Sequence, residues 1–145
     1  SQRFNLNFIN EQGEHEPAIV IHRSSVGAIE RVIAFLIEHF AGAFPAWLSP
    51  VQVKVLPIAD RHLDYAQNIY KKLKEAGIRA ELDNRSESLQ AKIRDAQLEK
   101  INYMIILGDK ETDGQISVRT RSGKNSNSSL DEFLKTLSEE IKNKV

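Results

Sequence analysis

From Val51 onward the chain alternates apolar runs of strand length with segments of helical period. That β-α-β-α-β order restricts it to an α/β architecture whose sheet is largely parallel and whose crossovers are right-handed. "VQVKVL" reads as the first strand. A helix over 60–76 follows, with Leu63, Ala66, Ile69 and Leu73 inward and Gly77 as its stop. "IRAEL" is the second strand, a helix over 88–100 is built on Leu89, Ile93 and Ala96, and "YMIIL" is the third strand. "GDKETDG" then turns the chain into "QISVRT", expected to pair antiparallel beside the strand before it. "SGKNSNSS" reads as a polar loop. Ser129 with Glu132 three residues on is a capping box, and Leu130, Phe133, Leu134, Leu137 and Ile141 make the last helix amphipathic.

The residues before Val51 belong to a different pattern. Phe4, Leu6 and Phe8 alternate with asparagines as in a half-buried strand, and "AIVI" at 18–21 follows the turn-like "NEQGEHEP", predicting a strand pair. A helix is expected from the Ser24-Ser25 pair to Gly42, with Val26, Ile29, Ile33, Leu36, Ile37 and Phe40 on one face. "GAFPAWLSP" ends it and marks the expected domain boundary, with 1–45 before it and 46–145 after, and a protease-sensitive stretch between them.

Composition removes several function classes. The 145 residues include no cysteine, so a disulfide framework, a zinc ribbon and a thiol nucleophile are excluded from this chain. Twenty basic and twenty acidic residues cancel, which argues against coating of nucleic acid by bulk charge and leaves binding to local patches. The longest apolar stretch is interrupted by Glu38, His39, Gly42 and Pro45, so no membrane span is expected, and the reading is a cytoplasmic protein.

Two local patterns carry candidate chemistry. On a helical wheel of about 100° per residue, Arg31 shares a sector with Gly27, Glu30, Ala34 and Glu38. Small neighbours leave room for a phosphate or carboxylate to reach the guanidinium, while a plain solvated stripe explains the same pattern. In the second half, Arg94 has no carboxylate at helical spacing, whereas Lys92 has Asp95 three residues on. In "QISVRTR", Ser117, Arg119 and Arg121 share one strand face, the two arginines about 7 Å apart. From Arg119 to Ser129 there are three basic residues, Arg119, Arg121 and Lys124, and no acid. An edge strand made soluble by charge is the alternative explanation of that run.

"VIHRSSVGAIERVIAFLIEHFAGAFPAWLSPVQV" resembles the passage from catalytic to anticodon-binding domain in the threonyl-tRNA synthetase family. "GAIER" is similar to motif 3 of class II aminoacyl-tRNA synthetases, and "AGIRAELDNRSESLQAKIR", "YMIILGDKE" and "VRTRSGK" continue the likeness along the chain. The resemblance implies a mixed, mostly parallel five-stranded sheet flanked by three helices, preceded by the last strands and helix of a class II catalytic domain. It implies that Arg31, with Gly27 and Ala28 beside it, meets the phosphates of ATP, with magnesium, during adenylate formation. It implies that His22 is one ligand of a zinc ion that selects threonine, its partners lying upstream. It implies that tRNA for threonine is bound by Arg94, Glu111 and Arg119 as base readers and by Lys92, Lys100, Arg121 and Lys124 as backbone contacts. Lys100 stands where the family pattern has arginine, and Ala28 replaces a small polar residue. The whole ligase is expected to be a homodimer, and this chain, with one class II motif of three, to be inactive alone. The competing readings are a non-catalytic synthetase paralogue and a stand-alone α/β module for a phosphorylated ligand. The second lacks a glycine-rich loop after "VQVKVL", where "PIADRH" stands.

Overall fold

The computed structural model describes residues 1–111 and 114–144. Its contacts divide the chain into two units, Ser1–Ala34 and Phe35–Val145, and each is taken by itself.

In the first unit, β1 (Asn7–Ile9) pairs antiparallel with β2 (His15–Pro17) in a two-stranded ribbon. The partner of β1 is thus not the "AIVI" run at 18–21. The Asn10 side chain accepts the backbone N–H groups of Gln12 and Glu14, and Gly13 turns at φ +82°, which sets residues 15–17 opposite 7–9. Pairing fades after Ala18 donates to the Leu6 carbonyl, and Ile19, Val20 and Ile21 are left irregular and exposed. Helix α1 (Ile29–Phe40) crosses from one unit to the other and begins later than the Ser24-Ser25 pair suggests. Gly27 lies at φ +70° with its N–H bonded to Ser24 Oγ at 3.0 Å, a conformation that no helical turn contains. The helix ends through Ala41 and Gly42, both at positive φ, and Gly42 donates back to the Ile37 carbonyl. None of its residues is buried, although apolar side chains nearly encircle it.

The second unit holds a five-stranded sheet in the order β4-β3-β5-β6-β7, from β3 (Val53–Pro57), β4 (Ala80–Leu82), β5 (Tyr103–Leu107), β6 (Gln115–Thr120) and β7 (Asn125–Ser129). β3 pairs in parallel with β4 and β5, and β6 pairs antiparallel with β5 and β7. The fifth strand is the segment that composition assigns to a loop. Asparagine and serine have low strand propensity, but an edge strand whose side chains face water needs only a partner and a turn. Gly123 supplies that turn at φ +88°, and Thr120 and Lys124 bond across it.

Helices α2 (Leu63–Glu75), α3 (Leu89–Leu98) and α4 (Leu130–Asn143) cover the sheet unequally. Val53, Val55, Ile105, Leu107, Ile116 and Val118 point to the α2 and α4 side, against Ala66, Ile69, Leu73, Phe133 and Leu137. Leu56 and Met104 point the other way, against Ile93 and Ala96 of α3 and Ile101 beyond it. The opening of α2 is tightened by a 3-10 turn over Asp60–His62. Ser88 caps α3 through the Ala91 N–H, and Ser129 caps α4 through the Glu132 N–H at 3.2 Å. Two residues of the "GDKETDG" turn, Thr112 and Asp113, lie outside the described residues. No helix among the described residues is long and apolar enough to cross a membrane.

Candidate nucleic-acid interface

Strand alternation decides which side chains can meet a ligand. With Ile116 and Val118 committed to the core under α2 and α4, Ser117 and Arg119 stand on the α3 side of β6. Register adds their neighbours: Arg119 lies opposite Met104 of β5 and Asn125 of β7, and Ser117 lies opposite Ile106 and Asn127. Helix α3 packs on Leu56 and Met104, leaving the β6 and β7 part of this face polar and half open.

Arg119 is the cation on that face. Its Nη1 donates to Asn125 Oδ1 at 3.1 Å, and its Nε is shut from solvent with no hydrogen-bond partner among the described residues. Arg94 stands on α3, on the same side of the sheet, with its side chain 75% exposed. Its Nε is 3.8 Å from Asp95 Oδ1, so a carboxylate is closer than helical spacing suggests. Asp95 is held more tightly by Arg85, whose Nη1 donates to Asp95 Oδ2 at 3.0 Å while its Nε and Nη2 fork onto Asp83. The Arg85 hydrogen bonds keep the Asp83 carboxyl below the usual carboxylate range. Lys124 is exposed in the turn between β6 and β7.

Three more residues expected on the RNA side make hydrogen bonds within the fold. Lys92 does not meet Asp95. It is buried, and its amine donates to the carbonyls of Pro57 at 3.2 Å and Asp83 at 3.3 Å, joining the ends of β3 and β4, so in this structure it is not offered to a phosphate. Lys100, at φ +58°, sends its amine to the Ala41 carbonyl. Arg121 lies beyond the end of β6, where its Nη1 donates to the carbonyls of Phe44 at 2.9 Å and Lys100 at 3.2 Å, so it does not continue the face of Arg119. The cause is common to all three: unpaired backbone carbonyls at strand and helix ends must find donors, and a long cationic side chain supplies them.

Glu111 sits elsewhere again. Its Oε2 accepts the Gly108 N–H at 2.9 Å, just past the end of β5. Arg119 is opposite Met104, four residues earlier, so the two lie about 13 Å apart along the sheet at ~3.3 Å per residue. Glu111 lines a groove of about 850 Å³ at the C-terminal ends of β3 and β5, walled by Arg61, His62, Tyr65 and Leu130. There Arg61 forks onto Asp109 at 2.9 and 2.7 Å, and His62 Nε2 meets Asp109 Oδ1 at 3.0 Å. His62 Nδ1 accepts the Ala59 N–H, so Nε2 carries the proton that Asp109 receives. The Arg61 hydrogen bonds, then that of His62, hold the Asp109 carboxyl down at about 2.

Sequence reasoning missed Asn125, Asn127 and the Asp109 cluster. The signal for the asparagines is the register of β7, which a polar run hides.

The first unit carries the residues of the catalytic expectations. His22 is exposed, and no group of three or more His, Cys, Asp or Glu side chains converges among the described residues, so the residues present do not make a zinc site. Arg31 is exposed on α1, while Gly27 and Ala28 precede the helix and do not flank it on a helical face.

Comparison with known proteins adds the family. The chain is 50% identical over 99% of its length to the threonine–tRNA ligase of Desulforamulus reducens and 49% identical to that of Clostridioides difficile. It spans 23% of the length of each of these curated relatives. The crystal structure of the RNA binding domain of threonyl-tRNA synthetase from Cryptosporidium parvum superposes on 95% of this chain and 36% of that one, with a TM-score of 0.75 and 32% identity. The fold is therefore shared with a known RNA binding domain. Matched over residues 52–140 by the family model of the anticodon binding domain, the chain belongs to that family.

Proposed function

We propose that this chain is the anticodon-reading end of a threonine–tRNA ligase, with residues 46–145 binding the anticodon loop of tRNA for threonine and residues 1–45 closing the catalytic domain. The observation that carries the reading is Arg119: a guanidinium on a polar, half-open sheet face, held at Nη1 by Asn125 and with Nη2 without an acceptor among the described residues. Anticodon bases are splayed from a loop, so their edges are open to side-chain hydrogen bonds. Arg119 meets one base edge, Glu111 accepts from a second base about 13 Å along the sheet, and Arg94 takes a base or a phosphate. Lys124 neutralises the RNA backbone. Threonine activation with ATP and magnesium, zinc, transfer to tRNA, the dimer and a cytoplasmic setting belong to the whole ligase in this reading, with Arg31 the residue of this chain directed at ATP.

The test is binding of wild type and Arg119→Ala to RNA stem-loops carrying the threonine anticodon or the same loop with its middle base changed. Loss of a charged donor to a base edge is expected to remove about 1–3 kcal/mol of preference. A wild type that does not prefer the threonine loop, or an Arg119→Ala chain that keeps the full preference, sinks the reading.

A further inference from the structure

We propose that Asn125 is a positioning residue for Arg119, fixing the guanidinium so that its Nη2 is the donor a base engages. This rests on the reading of Arg119 above. The two residues are register partners across β6 and β7, so their side chains leave the sheet side by side on one face. Asn125 Oδ1 accepts from Nη1 at 3.1 Å, which commits that nitrogen. The turn approaches the opposite corner: a Cβ at Gly123, itself at φ +88°, would lie 3.4 Å from Nη2 and 4.0 Å from Cζ. A bulky turn residue would therefore crowd the fork.

With Nη1 committed and Nε closed to solvent, Nη2 is the corner of the Arg119 fork left without an acceptor among the described residues and open to a base. With Nη1 held by a neutral amide, the plane of the fork is set while its charge stays available to the RNA. Without Asn125 the guanidinium is free to rotate, and discrimination between bases falls more than affinity for RNA in general.

The experiment uses the full 145-residue chain with the two stem-loops, comparing Asn125→Ala, Asn125→Asp, Arg119→Ala and the double alanine variant. Asn125→Ala is expected to lower the preference for the threonine loop about three- to tenfold, the coupling of residues in direct contact. Asn125→Asp keeps an acceptor on Nη1, so it keeps the preference while weakening both RNAs. In the Arg119→Ala background, Asn125→Ala adds nothing. If Asn125→Ala retains the full preference, or weakens both loops equally, while Arg119→Ala loses the preference, the positioning role is overturned and Arg119 remains a reader. If Arg119→Ala itself retains the preference, both readings fall.

Discussion

Arg121 donates from Nη1 to the carbonyl of Phe44 at 2.9 Å, and the same carbonyl accepts Asn102 Nδ2 at 2.9 Å. Around this pair the stretch Ala41–Ser49 is tied down along its length. Lys100 holds the Ala41 carbonyl, Gln52 holds that of Ala46 at 2.8 Å, and Arg79 reaches those of Ala46, Trp47 and Ser49. Ala46 is fully buried. A segment whose prolines suggest a loose linker is thus part of the α/β unit's framework.

The first prediction follows from these bonds. Limited proteolysis is expected to spare residues 41–49 in the wild-type chain, and hydrogen exchange there is expected to be slow. Arg121→Ala removes a charged donor from two carbonyls and should cost about 1–2 kcal/mol, with exchange in 41–49 accelerating. Early cleavage of the wild type within this stretch contradicts the arrangement.

The second concerns acid. Asp109 titrates near about 2 in the folded chain against an ordinary 3.8, because Arg61 and His62 hydrogen-bond its charged form. A lowered carboxylate favours the folded state above the unfolded value, and that contribution fades as pH falls from about 4 toward 2. Asp109→Asn is expected to be less stable than wild type at pH 6 and to converge with it near pH 2. Urea midpoints across this range measure it, and parallel curves would count against the assignment.

A third prediction tests the cap that joins the last strand to the last helix. Ser129 ends β7 and its Oγ accepts the Glu132 N–H at 3.2 Å. Ser129→Ala should cost about 1 kcal/mol, and Ser129→Asp should retain most of that stability, since aspartate accepts the same bond. Equal losses in thermal unfolding would place the serine's role in the strand instead.

The elements from Val53 to Leu107 were legible because burial forces their periodicity: β3 and β5 are covered on both faces and are largely apolar, and the helices carry one apolar stripe. β7 was illegible because backbone pairing and a Gly123 turn create it without any apolar signal. "AIVI" misled for the opposite reason, an apolar run with no strand beside it among the described residues. At the candidate site, Arg119 followed from strand alternation and Arg94 from its missing helical partners. Lys92, Lys100 and Arg121 were equally basic in the sequence. What separates them from Arg94 and Lys124 in the structure is their hydrogen bonds to the carbonyls at Pro57, Asp83, Ala41 and Phe44.

That separation yields the last prediction. Lys124 is exposed in the β6–β7 turn, whereas Lys92 is 4% exposed with its amine bonded to two carbonyls. A lysine that neutralises a phosphate releases counterions, so Lys124→Ala should weaken all stem-loops alike and reduce the slope of log affinity against log salt by about 1. Lys92→Ala should leave that slope unchanged and instead lower folding stability by about 1–3 kcal/mol, since two buried carbonyls lose their donor. Salt titrations of both variants, paired with denaturant unfolding, decide the matter. A reduced slope for Lys92→Ala with unchanged stability would mean that this lysine turns outward to RNA, and that the inward geometry is not the one that binds.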